Sequence, residues 1–84
     1  MLHIHYFASV REALQKDSEQ LALPGDVTTI TDLIAYLSAN DNKFKTLNES
    51  GNPLLVAINQ TVVDASYKIG EDDEVAFFPP MTGG

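Results

Sequence analysis

The last eleven residues, Glu74-Val75-Ala76-Phe77-Phe78-Pro79-Pro80-Met81-Thr82-Gly83-Gly84, restrict this chain more than any other stretch. A strand-like apolar and aromatic run meets two consecutive prolines, which lack a backbone N–H and cannot continue a sheet ladder. The sheet is expected to stop at Phe78, giving a folded body over residues 1–78 and an extended tail over 79–84. At roughly 3.3 Å per extended residue, the six tail positions reach about 20 Å, enough to enter a neighbouring protein's active site. Two terminal glycines leave the final carbonyl carbon open from either side, since glycine has no Cβ. The free α-carboxylate is ionised at neutral pH and can attack a nucleotide phosphate, which would give an acyl adenylate.

A chain of 84 residues is one domain with one two-layer core and no room for a cofactor domain. The N-terminus Met1-Leu2-His3-Ile4-His5 lacks the basic segment and apolar run of a signal peptide, so a cytoplasmic protein is expected. There is no cysteine, which removes disulfides, thiolate nucleophiles and sulfur-ligated metals together. The formal charge of −7, from twelve acidic against five basic residues, argues against nucleic acid or an anionic membrane and for a basic protein partner.

Leu2 to Phe7 alternates Leu2, Ile4, Tyr6 against His3, His5, Phe7, a strand with the first set facing the core. His3 and His5 share the other face. Zinc wants three or four ligands, and with no third histidine and no cysteine they are expected to be exposed strand positions, with no metal bound. Ser9-Val10-Arg11-Glu12 has capping-box spacing and predicts a short helix starting there. Glu19 to Leu23 alternates again and ends at Pro24-Gly25-Asp26, predicting a second strand that forms a hairpin with the first. Thr29-Ile30-Thr31-Asp32 repeats the cap spacing. Ile30, Leu33, Ile34 and Leu37 follow on one helical stripe to about Asn40, each contributing roughly 1.5–3 kcal/mol when buried. Residues 41–53 are polar and predict a loop with one helical turn, anchored by Phe44 and Leu47. Leu54 to Ile58 reads as an interior strand, Asn59-Gln60 as a turn, Thr61 to Val63 as a short strand and Val75 to Phe78 as the last. The acidic run Glu71-Asp72-Asp73-Glu74 lacks calcium-loop spacing and is expected to be a solvated turn that keeps a neighbouring sheet edge from aggregating. This order of elements predicts an α+β, single-domain β-grasp (ubiquitin-like) fold: a mixed sheet with one main helix on one face.

Taken together, the tail, Asn59-Gln60-Thr61-Val62-Val63 and Phe7-Ala8-Ser9-Val10-Arg11-Glu12 closely resemble the small, sulfur-carrying subunits of molybdopterin synthase, the MoaD type, over essentially the whole chain. Met81 stands where a smaller aliphatic residue is expected in that family, and His3 and His5 match no family pattern. The resemblance implies that Gly84 is adenylated by an ATP-dependent, ubiquitin-activating-type enzyme and converted to a thiocarboxylate. It then donates sulfur to cyclic pyranopterin monophosphate inside the large synthase subunit, two sulfurs completing the dithiolene of molybdopterin. It also implies that ATP is used by the activating enzyme, that no cofactor is bound here, and that the assembly holds two small and two large subunits. Gly83, Thr82, Met81, Pro80 and Pro79 would present Gly84. Alternation in the last strand sends Val75 and Phe77 to one face and Ala76 and Phe78 to the other. Phe78 and Val62, with Phe7, are therefore expected partner-binding anchors, while Arg11 either touches the partner or forms an ion pair with Glu12 or another acid. Two other functions share the terminal Gly-Gly, a sulfur carrier for thiamine thiazole synthesis and a ubiquitin-like modifier. Phe77-Phe78-Pro79-Pro80 favours molybdopterin synthesis over the thiazole pathway.

Overall fold

The computed structural model describes residues 1–49 and 54–79. Among them are five strands and three helices: β1 (Leu2–Tyr6), α1 (Ala8–Leu14), β2 (Ser18–Leu21), α2 (Ile30–Asn40), α3 (Asn42–Asn48), β3 (Leu55–Ile58), β4 (Thr61–Val63) and β5 (Glu74–Phe78). The strands form one mixed sheet in the order β2-β1-β5-β3-β4, with β1 and β5 parallel at its centre and the other pairs antiparallel. This is the expected β-grasp arrangement of one sheet with helices on one face. No helix among the described residues is long and apolar enough to cross a membrane.

Period-two alternation decides which side of the sheet is covered. Leu2, Ile4 and Tyr6 from β1, Val56 and Ile58 from β3, and Val75 and Phe77 from β5 are buried in one core with Val10 and Leu14 of α1, Ile30, Leu33 and Leu37 of α2, and Phe44 of α3. Phe77 sits at the heart of it, stacked on Tyr6 at 5.9 Å and met edge-on by Phe44 at 5.3 Å.

α2 behaves as its sequence predicts. Thr29 accepts from the Asp32 N–H at 3.2 Å through its hydroxyl, and the Asp32 carboxylate accepts from the Thr29 N–H at 3.2 Å, a complete capping box. That carboxylate also takes the N–H and hydroxyl of Thr28, at 3.1 and 3.0 Å, and these bonds hold it below the usual carboxylate range. The N-terminus of α2 is further tied to the approach to β5, with the Ile30 N–H bonded to the Tyr67 carbonyl and the Thr31 N–H to the Ala65 carbonyl.

Four local expectations are corrected. α1 is capped not by Ser9 but by Phe7, whose carbonyl accepts from Val10 and Arg11 at 3.1 and 3.4 Å; burying Val10 and Leu14 makes the helix start directly where β1 ends, so Ser9 falls inside the first turn, exposed. β2 ends at Leu21, because Leu21 pairs with Leu2, the first residue of β1, and there is no ladder left for Leu23. Residues 42–48 form a full two-turn helix whose N-cap, Asp41, accepts from the Lys43 and Phe44 N–H groups, with Phe44 buried as its anchor. Finally, the acidic run does not guard an edge, since β5 lies between β1 and β3. Its carboxylates close turns instead: Asp73 accepts from the Gly70 N–H at 2.7 Å and the Asn59 amide at 3.1 Å, and Asp72 pairs with the N-terminal ammonium at 2.9 Å.

Candidate functional site

The face of the sheet turned away from the helices is built from the residues that alternation leaves over. Register places His5 of β1, Ala76 of β5, Ala57 of β3 and Val62 of β4 in one row across four strands. Beside that row, Phe7 and Phe78 stack nearly parallel, 4.7 Å between centroids and 7° between planes, and His5 lies 6.4 Å from Phe7 in a tilted arrangement. Pairing persists past the end of β1, since the Phe7 N–H donates to the Phe77 carbonyl at 3.1 Å, and this backbone bond fixes the angle at which Phe7 meets Phe78. Val62 is 66% exposed and Phe7 43% exposed, while Phe78 is half-buried by its neighbour. Apolar side chains left in water on a sheet face, rimmed by polar ones, mark an interaction surface.

A shallow groove of about 470 Å³ runs across this face. Its floor is the pair Ala57 and Ala76, which face each other across β3 and β5. Phe7 and Phe78 form one wall, Val62 and Gln60 lie on the β3–β4 side, and His5 and Glu74 complete the lining. The turn beneath Gln60 has Asn59 and Gln60 both at positive φ, 48° and 73°, the mirror-image geometry that matches strand twist in two-residue hairpins. Asn59 locks it to β5 by accepting from the Glu74 N–H at 3.1 Å and donating its own N–H to the Glu74 carbonyl at 2.9 Å. The hairpin that carries Val62 is thus held against the strand that carries Ala76 and Phe78.

Of the expected site residues, Phe78, Val62 and Phe7 do come together on one face. Pro79 follows Phe78 directly and is half-buried. Pro80, Met81, Thr82, Gly83 and Gly84 lie outside the described residues. Arg11 is exposed on α1, makes no ion pair with Glu12 or any other described acid, and is not part of the groove. His3 and His5 share a face as expected, and among the described residues no group of three or more histidine and carboxylate side chains is placed to hold a metal. Sequence reasoning passed over the groove's floor, Ala57 and Ala76, and its polar members His5, Gln60 and Glu74. The available signal was the small residue between bulky neighbours in both Val56-Ala57-Ile58 and Val75-Ala76-Phe77.

A model of the ThiS family matches residues 4–84. Over the full length of both chains, the sequence is 38% identical to the molybdopterin synthase sulfur carrier subunit of Escherichia coli (strain K12). Among solved structures, a putative molybdopterin converting factor subunit 1 from Pyrococcus furiosus superposes with a TM-score of 0.74 at 25% identity, covering 95% of this chain and 97% of that one. The fold also matches, with a TM-score of 0.66 at 17% identity over 99% and 97% of the two chains, a structure of the protein–protein complex of subunits 1 and 2 of molybdopterin-converting factor from Helicobacter pylori. With the family model spanning nearly all its residues and this kinship at full length, the chain belongs to the ThiS family, as a molybdopterin synthase sulfur carrier subunit.

Proposed function

We propose that Gly84 is the working residue and that everything described above serves to deliver it. Its carboxylate oxygen attacks ATP on an activating enzyme, releasing pyrophosphate and leaving an acyl adenylate; a sulfur nucleophile then displaces AMP to leave a thiocarboxylate. In the large synthase subunit the thiocarboxylate sulfur passes to cyclic pyranopterin monophosphate, and water returns the terminus to a carboxylate. Residues 79–84 act as the arm, and the pterin pocket and proton-transferring groups belong to the large subunit, in an assembly of two small and two large chains. The cytoplasm, which holds ATP, suits this cycle.

One observation carries the proposal: the stacked, solvent-facing Phe7–Phe78 pair stands immediately before the segment that ends in Gly83-Gly84. Ordering an extended tail costs about 1–2 kcal/mol per residue, less at prolines whose φ is already fixed, so delivery requires compensating burial close by. The apolar surface that exposed Phe7 and half-buried Phe78 still present supplies it. The Helicobacter complex of subunits 1 and 2 is consistent with a carrier of this fold docked on a larger protein.

The test is intact mass after co-expression with the activating enzyme and a sulfur source. The chain should gain the difference between one sulfur and one oxygen, with fragmentation locating it on Gly84. An unchanged mass, or the same gain after Gly84 is deleted, would refute the proposal.

A further inference from the structure

We propose that Ala8 is a positioning residue: held in the left-handed region, it is the pivot that keeps Phe7 in the sheet beside Phe78 while α1 starts at once. This rests on the function proposed above, in which a larger protein meets this end of the sheet, and adds a residue that acts only through Phe7. Among the described residues other than glycine, four have positive φ. Gln15, at 59°, closes α1 with its N–H on the Arg11 carbonyl, and Asn59 and Gln60 make the β3–β4 turn; each is a place where that angle is usual. Ala8, at 52°, opens a helix, where it is not. Its methyl group forms no local hydrogen bond that would ease the angle, as an Asn or Asp side chain can. Strain of this kind persists only where the surrounding structure imposes it, and it collects at functional positions.

Two demands meet at Phe7. Its N–H extends the pairing of β1 with β5, on the Phe77 carbonyl at 3.1 Å, and its carbonyl accepts the first helical bonds, from Val10 at 3.1 Å and Arg11 at 3.4 Å. Phe7 itself keeps strand angles, φ −122° and ψ 152°, so the change of direction falls on Ala8. The helical demand serves the core, because Val10 and Leu14 are buried. The strand demand does not, since Phe7 and Ala8 are both exposed. What it secures is the ring of Phe7, 4.7 Å from Phe78 and 7° from parallel. Were residue 8 returned to negative φ, one end of the joint would have to yield, and the end with less buried apolar surface is Phe7. Its ring would then leave the stack and lose the order that a preformed contact brings to binding.

Calorimetric titration of the full chain with the large synthase subunit of the same organism tests this, with thermal melts alongside. Ala8→Val places a β-branched side chain where positive φ is disfavoured, so binding should fall about tenfold or more while the melt stays cooperative and drops by about 5–10 °C. Ala8→Gly accepts the angle freely: it should bind about tenfold more tightly than Ala8→Val and melt about 3–6 °C above wild type. At an ordinary helical position glycine would lower the melt instead. A double-mutant cycle supplies the readout that separates positioning from a structural role. With Phe7→Ala already present, Ala8→Val should weaken binding by less than about twofold further. Full-strength binding by Ala8→Val, or losses that multiply in the cycle, would overturn the pivot and leave the Gly84 chemistry standing. So would a melt lowered by glycine, or a valine variant with no cooperative melt, since α1 would then be the end that yields. No binding by the wild-type chain would overturn the pivot together with the docking, with the mass shift at Gly84 still deciding the function.

Discussion

Two aromatic pairs cross from β1 to β5 one residue apart, and they do opposite work. Tyr6 and Phe77 point towards the helices, stacked 5.9 Å apart and buried; Phe7 and Phe78 point the other way, stacked 4.7 Å apart, with Phe7 exposed and Phe78 half-buried. The chemistry of the two contacts is nearly the same. Environment makes the difference: the inner pair is surrounded by Phe44 and the core, so its burial stabilises the fold, while much of the outer pair's apolar surface remains available to be removed from water by another protein. Among the described residues the sheet is covered on one side only, so a single residue of register separates buried from open aromatic surface.

The comparison breaks first at the core. Leu33→Asp places an unpaired carboxylate at a fully buried position and should destabilise by more than about 4 kcal/mol, abolishing the cooperative transition in urea. Phe77→Ala and Phe78→Ala sharpen it. The former should lose about 3–5 kcal/mol of stability; the latter should lose only about 1 kcal/mol yet weaken binding of the large subunit about tenfold. Equal losses of stability from the two would show that the faces are not separated as described.

Smaller effects lie at the margins of the covered face. Thr29→Ala removes the α2 cap and should cost about 1 kcal/mol in a urea titration. The Asp32 carboxyl, held low by the Thr28 and Thr29 bonds, contributes stability that is present above about pH 4 and lost as pH falls through its lower folded value. The stability gap between wild type and Asp32→Asn should therefore close on acidification. Tyr6 is the mirror case: burial, then the bond its hydroxyl donates to Glu19 at 2.5 Å, push the phenol above its ordinary range. Its contribution is complete below about pH 10 and is lost as pH rises beyond, where the unfolded chain ionises first. Tyr6→Phe should cost about 0.5 kcal/mol at neutral pH, since Glu19 keeps Lys16 at 2.9 Å, and should flatten the alkaline limb of the stability curve.

What could be read in advance follows from how local each interaction is. The α2 cap and stripe, the β1 alternation and the Asn59-Gln60 turn each depend on residues within one or two turns of chain, and all three appear as expected. The start of α1 is not legible in this way: Ser9 has cap spacing, yet the helix begins at Ala8, directly after β1, with no side-chain cap bond. α3 is two turns long where the polar segment suggests one, although Asp41 with Phe44 and Leu47 at helical spacing carries its pattern.

The sequence by itself determined the alternating faces of the strands and the main helix, because each is written in neighbouring residues. Only the tertiary structure decided that β5 lies between β1 and β3, making the acidic run a set of turn closures and setting Ala76 opposite Ala57 in a groove beside Phe7 and Phe78. Strand order joins residues far apart in the chain, and no local spacing encodes which of them will be neighbours.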